Sequence, residues 1–271
     1  MKNLIKAECF KLFKSLDFKI LLFCSLGLGI IFSCITIISG SKVSGYDTFN
    51  SFLGMILLHS FLGYVFSAIF ICNEYKNSTL AINLLSGFSR KKIFACKIII
   101  YFLGILLLCL ISTISATIIM SFVNGYSVEP GKGSYKDILT QLLYAVSGYM
   151  ALGAVIILIT VITKKAVVTI ASGISLTYIL LFLRTNFKDI FFVKYTYSYQ
   201  IELLRFQGGY FSGKMYMLVM FITFVLTLTT ALFIFEKMEL KWYYAIPVRK
   251  FIYLIICGYG ILYIIYKYKE S

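Results

Sequence analysis

The sequence predicts an all-α membrane protein, and two observations lead to this fold class. Hydrophobic residues make up 60% of the 271 residues, charged residues only 14%, and the mean hydropathy is +0.91. Soluble domains are nearer half apolar and a quarter charged. The apolar residues also fall into runs of about 20, the length that crosses a bilayer as a helix. Helices satisfy their backbone polar groups internally, which lipid requires.

The first predicted element is an amphipathic helix over 1–19 that lies in the membrane interface. On a helical wheel its apolar residues share one stripe, and most of its lysines lie away from that stripe. The stripe consists of Ile5, Cys9, Leu12, Phe13 and Leu16. A cleaved signal peptide is the competing interpretation. The apolar run that follows is long and has no small-x-small cleavage site at its end, which argues against it.

Six transmembrane helices are predicted to follow, at 20–39, 51–72, 94–122, 138–163, 166–183 and 215–235. Segment 184–214 is rich in aromatic and basic residues, which favours short interfacial or re-entrant helices before the sixth span. A shorter seventh candidate at 251–266 either crosses the membrane or dips into its interface, and the side of the C-terminus depends on which. We predict a single transmembrane domain over 1–271, with 20–235 as the six-helix core and 236–271 as a cytoplasmic segment plus the extra helix.

The distribution of Lys and Arg predicts the orientation of the spans. The N-terminal 19 residues contain five lysines, loop 40–50 has one lysine against one aspartate, and loop 73–93 is strongly basic again. Loop 123–137 is balanced, and Lys164 with Lys165 marks the next basic turn. This alternation places the N-terminus in the cytoplasm. It also accounts for the net charge of +15 without a nucleic-acid partner.

Residues that carry catalytic or metal chemistry are scarce in the predicted spans. The cores of the spans lack Asp, Glu, Lys and Arg, and only His59 is titratable near neutral pH. His59 is either a functional polar group in the membrane or, as we prefer, a hydrogen-bond partner of a neighbouring helix. The segment EPGKGS at 129–134 fails the spacing of a phosphate-binding loop. None of the seven cysteines forms a C-x-x-C pair, so we predict no enzyme, metal site or cofactor site in this chain.

The most informative segment is the loop between the second and third spans, Glu74 to Lys97. Ser78 or Thr79 is predicted to cap a short amphipathic helix that Gly87 ends, and Ser89 to cap the next helix. This segment resembles the signature of ABC-2 type permeases, the membrane subunits of ABC exporters. The matching residues are Glu74, Thr79, Leu84, Leu85, Ser89, Arg90 and Lys97. Ser78 stands where the family usually has Gly and Gly87 where it usually has Pro, and both residues are permissive at turns.

The resemblance covers about 1–240 and implies that the loop holds a coupling helix, which docks in a groove of a separate ABC ATPase. Leu84 and Leu85 are expected to bury in the groove, whereas Arg90 and Lys91 either lie at its rim or anchor the topology. Glu74 is expected to pair with a lysine of the N-terminal helix. ATP and Mg²⁺ would then bind the ATPase and not this chain. The expected docking set is Glu74, Thr79, Leu80, Leu84, Leu85, Ser89, Arg90 and Lys91.

These features lead us to expect the permease subunit of an ATP-driven exporter, multi-pass in a bacterial plasma membrane. Its cargo is expected to be amphipathic, foremost an antimicrobial or signalling peptide, and both export and immunity roles stay open. The expected partners are the ATPase, a second identical or paralogous membrane subunit, and the bilayer. Candidates for helix packing are the small residues Gly63, Ser67, Ser112 and Ala116. The alternatives are a non-transporting partner or sensor subunit and an ATP-independent secondary transporter.

Overall fold

The computed structural model describes residues 2–76, 86–126, 134–187, 191–194, 196–200 and 213–237. Within these ranges the chain is helical, with turns and short connections and no strand. Two predicted features lie outside the described residues: the candidate span 251–266, and the residues Thr79, Leu80, Leu84 and Leu85 of the loop 77–89, which is called the coupling loop below for its expected role. The helices are α1 Lys2–Lys14, α2 Leu16–Ile38, α3 Gly45–Leu53, α4 Ile56–Ser67, α5 Asn73–Lys76, α6 Arg90–Asn124, α7 Tyr135–Thr163, α8 Ala166–Asn186, α9 Phe191–Lys194 and α10 Gly213–Lys237.

Five of the described helices are long and apolar enough to cross a membrane: α2, α6, α7, α8 and α10. They correspond to the first, third, fourth, fifth and sixth predicted spans. A sixth span results only if α3 and the helical segment that follows it are counted together. The described residues therefore support a multi-pass membrane protein with five spans, or six when the bent pair is counted as one.

The second predicted span, 51–72, is not one continuous helix, and this prediction was wrong at its start. Helix α3 ends at Leu53, and the helical axis bends by 52° before α4 continues. Gly54 and Met55 occupy the break, where Met55 leaves the helical backbone conformation at φ −76° and ψ 71°. The region 40–50, predicted to be a loop, instead contributes most of α3.

The segment after α4 contains a π-helical turn, Ala68–Cys72, which joins α4 to α5. A π turn holds one more residue per hydrogen-bonded ring than an α turn, and such turns inside helices are often found at functional sites. This turn lies between the buried His59 on α4 and the buried Glu74 on α5. The second span is thus broken once near its start and widened once near its end.

The predicted helix boundaries around the loops agree with the structure at two places. Helix α6 starts directly after Ser89, whose extended backbone occupies the N-cap position, although its side chain forms no capping hydrogen bond. Helix α7 ends at Thr163 and α8 begins at Ala166, with Lys164 in the left-handed region at φ 56°. The tight Lys164–Lys165 turn is therefore confirmed.

Helices α6 and α7 are the most buried of the candidate spans and form the centre of the bundle. Helix α10 packs along α7, whereas α2 and α3 pack along α6. The crossing of α2 and α6 is close because three small residues, Ser25, Gly29 and Ser33, lie on the buried face of α2 at intervals of four. The Ser33 hydroxyl donates to the Ala116 carbonyl across this crossing at 3.3 Å.

Candidate functional site

Charged side chains from three helices meet where the coupling loop leaves and re-enters the bundle. Glu74 lies on α5, just before the loop begins. Lys97 lies on α6, two turns after the loop ends. Lys97 Nζ contacts Glu74 Oε2, and Lys11 Nζ of α1 contacts Glu74 Oε1. Lys97 Nζ also lies 3.3 Å from Glu8 Oε1 of α1. These four residues, Glu8, Lys11, Glu74 and Lys97, are called the ion cluster below.

The ion cluster is balanced in charge and mostly withdrawn from solvent. Glu8, Glu74 and Lys97 are all buried, whereas the Lys11 side chain is half exposed. Two carboxylates and two ammonium groups give a net charge of zero. Moving charges out of water costs several kcal/mol for each ion, and only close pairing offsets that cost. The cluster therefore constrains α1, α5 and α6 to positions where all four groups meet.

The pairing of Glu74 with an N-terminal lysine, expected from the sequence, is present in the structure with Lys11 as the partner. Partial burial lowers the pKa of Lys11, but its hydrogen bond to Glu74 and the charges of Glu74 and Glu8 outweigh burial, and the net pKa is raised. A raised pKa keeps Lys11 protonated at neutral pH. The pairing of Lys11 with Glu74 therefore contributes to stability at neutral pH. This contribution is lost only as the pH rises through the raised pKa of Lys11.

Apolar contacts surround the ion cluster and fix α1 against the start of α6. Leu4 packs with Ile93 and Cys96, and further partly buried side chains complete this group: Ile5, Tyr75, Phe88 and Phe235. Lys97 Nζ also lies 5.7 Å from the ring centroid of Phe70 in the π turn, within range of a cation–π interaction. Tyr75 and Phe235 thus bring α5 and α10 together beside α1 and the start of α6.

The face of α1 that packs against the protein is not the apolar stripe that we predicted to lie in the membrane interface. Leu4, Glu8 and Leu12 are buried at intervals of four residues, so Leu12 alone of the predicted set is fully buried. Ile5 and Cys9 are half-buried, and Phe13 and Leu16 are 48% and 71% exposed. Sequence reasoning missed Glu8. The available signal was a single glutamate, in a helix rich in lysine, spaced four residues from an apolar position on each side.

The other end of the coupling loop is tied to the end of α10. Arg90 Nη1 donates to the Glu236 carbonyl oxygen at 2.9 Å, and Lys91 Nζ lies 3.4 Å from Glu236 Oε1. Phe94 stacks on Phe235 with ring centroids 4.8 Å apart. Lys91 is 73% exposed, so its pair with Glu236 contributes little, as most solvated ion pairs do. Both flanks of the loop are therefore fixed to other helices.

His59 belongs to a second polar group, which lies inside the bundle and away from the loop. Its Nε2 lies 3.1 Å from Ser112 Oγ on α6, and its Nδ1 lies 3.0 Å from Tyr149 Oη on α7. The Tyr149 hydroxyl donates in turn to the Leu53 carbonyl at the end of α3, at 2.7 Å. The structure thus has His59 in the role that we preferred, hydrogen-bonded to neighbouring helices.

The four small residues predicted for helix packing are buried within this chain. Ser67, Ser112 and Ala116 have no exposed surface. A Cβ added at Gly63 would come within 2.7 Å of Ile156 Cδ1, so this glycine permits close packing against α7. In this arrangement these residues pack helices of one chain against each other and present no surface to a second subunit.

Among the described residues, no three His, Cys, Asp or Glu side chains converge as metal ligands. The opposite charges of the ion cluster pair with one another across α1, α5 and α6, an arrangement that suits it to holding these helices together. The sequence profile described as ABC-2 family transporter protein matches residues 4–183. The match includes nearly all of α1, the coupling loop, the ion cluster and the polar group around His59. It ends before α10, whose contacts with Arg90, Lys91 and Phe94 lie partly outside it. Comparison with curated proteins gives no match.

Proposed function

Because the chain belongs to the ABC-2 family of transporter proteins, we propose that it is the membrane subunit of an ATP-driven exporter. The family implies embedding in the membrane and an ABC ATPase as partner. The observation that supports the proposal most directly is the fixing of the loop 77–89 at both flanks, by the ion cluster and by Glu236. Because both flanks of the loop are held, a docked protein that displaces the loop also moves α1, α5, α6 and α10.

The proposed cycle requires the ATPase to push or pull on the coupling loop. Leu84 and Leu85 bury in a groove of the ATPase, since apolar anchors dominate the energy of such contacts. Closure of two ATPase subunits then tilts the attached helices as rigid bodies. The complete exporter holds two membrane subunits and two ATPases, with ATP and Mg²⁺ on the ATPases. The proposed cargo is an amphipathic peptide moved out of the cell or the membrane.

We expect the double substitution Leu84→Asp and Leu85→Asp to abolish co-purification of the ATPase. Two carboxylates in an apolar groove would have to be desolvated without partners, which costs several kcal/mol and more than a hundredfold in affinity. The measurement is the ratio of ATPase to permease after affinity purification from cells that express both chains.

The matched control is Leu84→Met with Leu85→Met, which keeps the apolar contact and should retain the ATPase. Both variants must show the same abundance in the membrane and the same single peak in size-exclusion chromatography. An Asp variant that brings down the ATPase at the wild-type ratio would show that docking does not use these leucines.

The proposed orientation, with the N-terminus in the cytoplasm, is tested separately by thiol labelling of intact cells. Ser41 follows α2 and Ser89 precedes α6, and both are exposed. In a chain whose own cysteines have been replaced, we expect a membrane-impermeant maleimide outside the cell to label Ser41→Cys. Ser89→Cys should react only after the membrane is permeabilised. The reverse pattern would invert the topology and remove the coupling loop from the ATPase side.

A further inference from the structure

The side of α1 that points away from the bundle carries both aromatic and basic side chains. Glu8 lies in the middle of the buried side, between Leu4 and Leu12. Each residue of a helix advances by about 100°, so four exposed residues fall within an arc of roughly 100° opposite Glu8. These residues, called the outer face of α1 below, are Lys6, Phe10, Phe13 and Lys14.

The two phenylalanines of the outer face continue the exposed apolar surface of α2. Phe10 is 66% exposed, and the Phe13 ring packs edge-on against Phe18 at the start of α2, with ring centroids 5.9 Å apart. Beyond this contact, Ile20 and Phe23 of α2 are exposed. Exposed apolar patches of this kind mark contact with a membrane or another protein. Because α2 is long and apolar enough to cross a membrane, its exposed side faces lipid, and the outer face of α1 borders the same lipid.

The two lysines of the outer face lie on either side of Phe10 along the helix. Lys6 is about one turn before Phe10 and Lys14 about one turn after it, and both lysines are exposed. Lys14 Nζ lies 5.4 Å from the centroid of the Phe10 ring, so a cation and an aromatic ring share one patch. Long basic side chains at a membrane interface bury their aliphatic part and keep the charge at headgroup level.

The charge of the outer face is positive, and the acidic residues nearby do not cancel it. Glu8 is the one acidic residue of α1, and it is buried, 3.3 Å from Lys97 on the other side of the helix. The next acidic residue along the chain, Asp17, is exposed in the first turn of α2 and is followed by the exposed Lys19. A basic patch with an apolar middle, continuous with a lipid-facing surface, fits an anionic lipid better than a soluble protein.

We propose that the outer face of α1 binds anionic phospholipids of the leaflet beside it. Phe10 and Phe13 lie at the boundary of the acyl chains, and Lys6 and Lys14 contact the headgroup phosphates. Each lysine near an anionic surface contributes a preference of about fivefold for the charged lipid. Because α1 also contributes Glu8 and Lys11 to the ion cluster, these lipids bind the helix that secures the start of the coupling loop. The inference requires neither the ATPase nor a particular orientation.

The test measures which lipids touch the outer face. The one tryptophan of the chain, Trp242, is replaced by phenylalanine, and Phe10→Trp introduces a fluorescent reporter. The purified chain is placed in nanodiscs of phosphatidylcholine and phosphatidylglycerol, and either lipid carries brominated acyl chains, which quench tryptophan on contact. We expect both lipids to quench the reporter, with a preference for phosphatidylglycerol of roughly fivefold to twentyfold that decreases at high salt.

Two double variants assign the preference to the lysines. Lys6→Gln with Lys14→Gln should remove the preference for phosphatidylglycerol and leave quenching by phosphatidylcholine unchanged, since the aromatic contact with the acyl chains is kept. Lys6→Arg with Lys14→Arg keeps both charges and should retain the preference. Both lysines are exposed, so the variants should accumulate in the membrane like the parent. A preference that survives in the Gln variant would overturn the assigned role of the lysines.

The matched control for position is Phe221→Trp on α10, in the same background. Phe221 is 68% exposed, and its neighbours one turn away along the helix are apolar. Both lipids should quench this reporter equally. A preference for phosphatidylglycerol as large as that of Phe10→Trp would mean that the net charge of the chain attracts the lipid and that α1 has no site. If neither lipid quenches Phe10→Trp, the outer face lies outside the membrane and would fit a protein partner instead.

Discussion

Replacing Lys97 by methionine is expected to lower the free energy of unfolding by about 3–5 kcal/mol, the cost of removing one partner from a buried ion pair. Lys97 contacts Glu74 and lies 3.3 Å from Glu8, so its loss leaves two buried carboxylates with only the half-exposed Lys11. In purified protein the transition temperature should fall by on the order of 10 °C, measured by intrinsic fluorescence during heating.

Two further variants determine whether charge balance is the cause of that loss. Lys97→Met combined with Glu8→Gln leaves the Glu74–Lys11 pair and restores net neutrality, so it should recover most of the lost stability. Lys91→Met removes a lysine that is 73% exposed and should cost no more than about 1 kcal/mol. If Lys97→Met and Lys91→Met shift the transition equally, the ion cluster does not have the structural role assigned to it.

Replacing Gly29 by leucine should destabilise the protein by about 3 kcal/mol or prevent its accumulation in the membrane. A Cβ at this position would lie 2.4 Å from the Ser112 carbonyl oxygen and 3.1 Å from the Ala116 amide nitrogen. Both atoms belong to the backbone of α6, so α2 must move away as a whole. That movement also breaks the hydrogen bonds of Ser25 and Ser33 across the crossing.

The control for Gly29→Leu lies half a turn earlier on the same helix. A Cβ at Gly27 has nothing within 4 Å. Gly27→Leu therefore changes helix propensity and hydrophobicity by the same amount as Gly29→Leu, but without a steric clash of its Cβ with α6. Leucine favours a helix over glycine by about 1 kcal/mol, and this variant should be as stable as the parent or slightly more so. A similar loss in both variants, measured by thermal unfolding and membrane abundance, would contradict the close crossing.

Hydropathy located the long helices well, because a run of apolar residues is a property of the local sequence. The fifth predicted span, 166–183, and the observed α8, Ala166–Asn186, begin at the same residue. The broken second span was missed because apolar residues continue through Gly54 and Met55. Two helix starts carried a readable signal, Ser-x-x-Asp at 44–47 and at 134–137, where Asp47 and Asp137 hydrogen-bond to the preceding serines.

The polar groups could be predicted only in part, since sequence spacing gives the face of a residue and not its partner. Glu74 was recognised from the loop pattern, and its contact with an N-terminal lysine was expected. Glu8 and Tyr149 were not, because they lie 89 and 90 residues from their partners Lys97 and His59 along the chain, and only the packed bundle brings them together. The Leu53 carbonyl at the end of α3 likewise takes its hydrogen bond from Tyr149 on α7, and no local sequence pattern predicts this contact.

The π turn at Ala68–Cys72 has a consequence for the phase of the second span. Each residue of an α-helix advances the chain by about 100°, so one residue inserted into a regular α-helix rotates everything beyond it by that angle, whereas a π turn holds the extra residue within one turn and keeps the phase. His59 and Glu74 both point inward across this turn. Deleting one residue from Ala68–Cys72 should therefore turn the π turn into an α turn and leave Glu74 facing Lys97, whereas deleting one residue from a regular α-helical part of the span should turn Glu74 about 100° away.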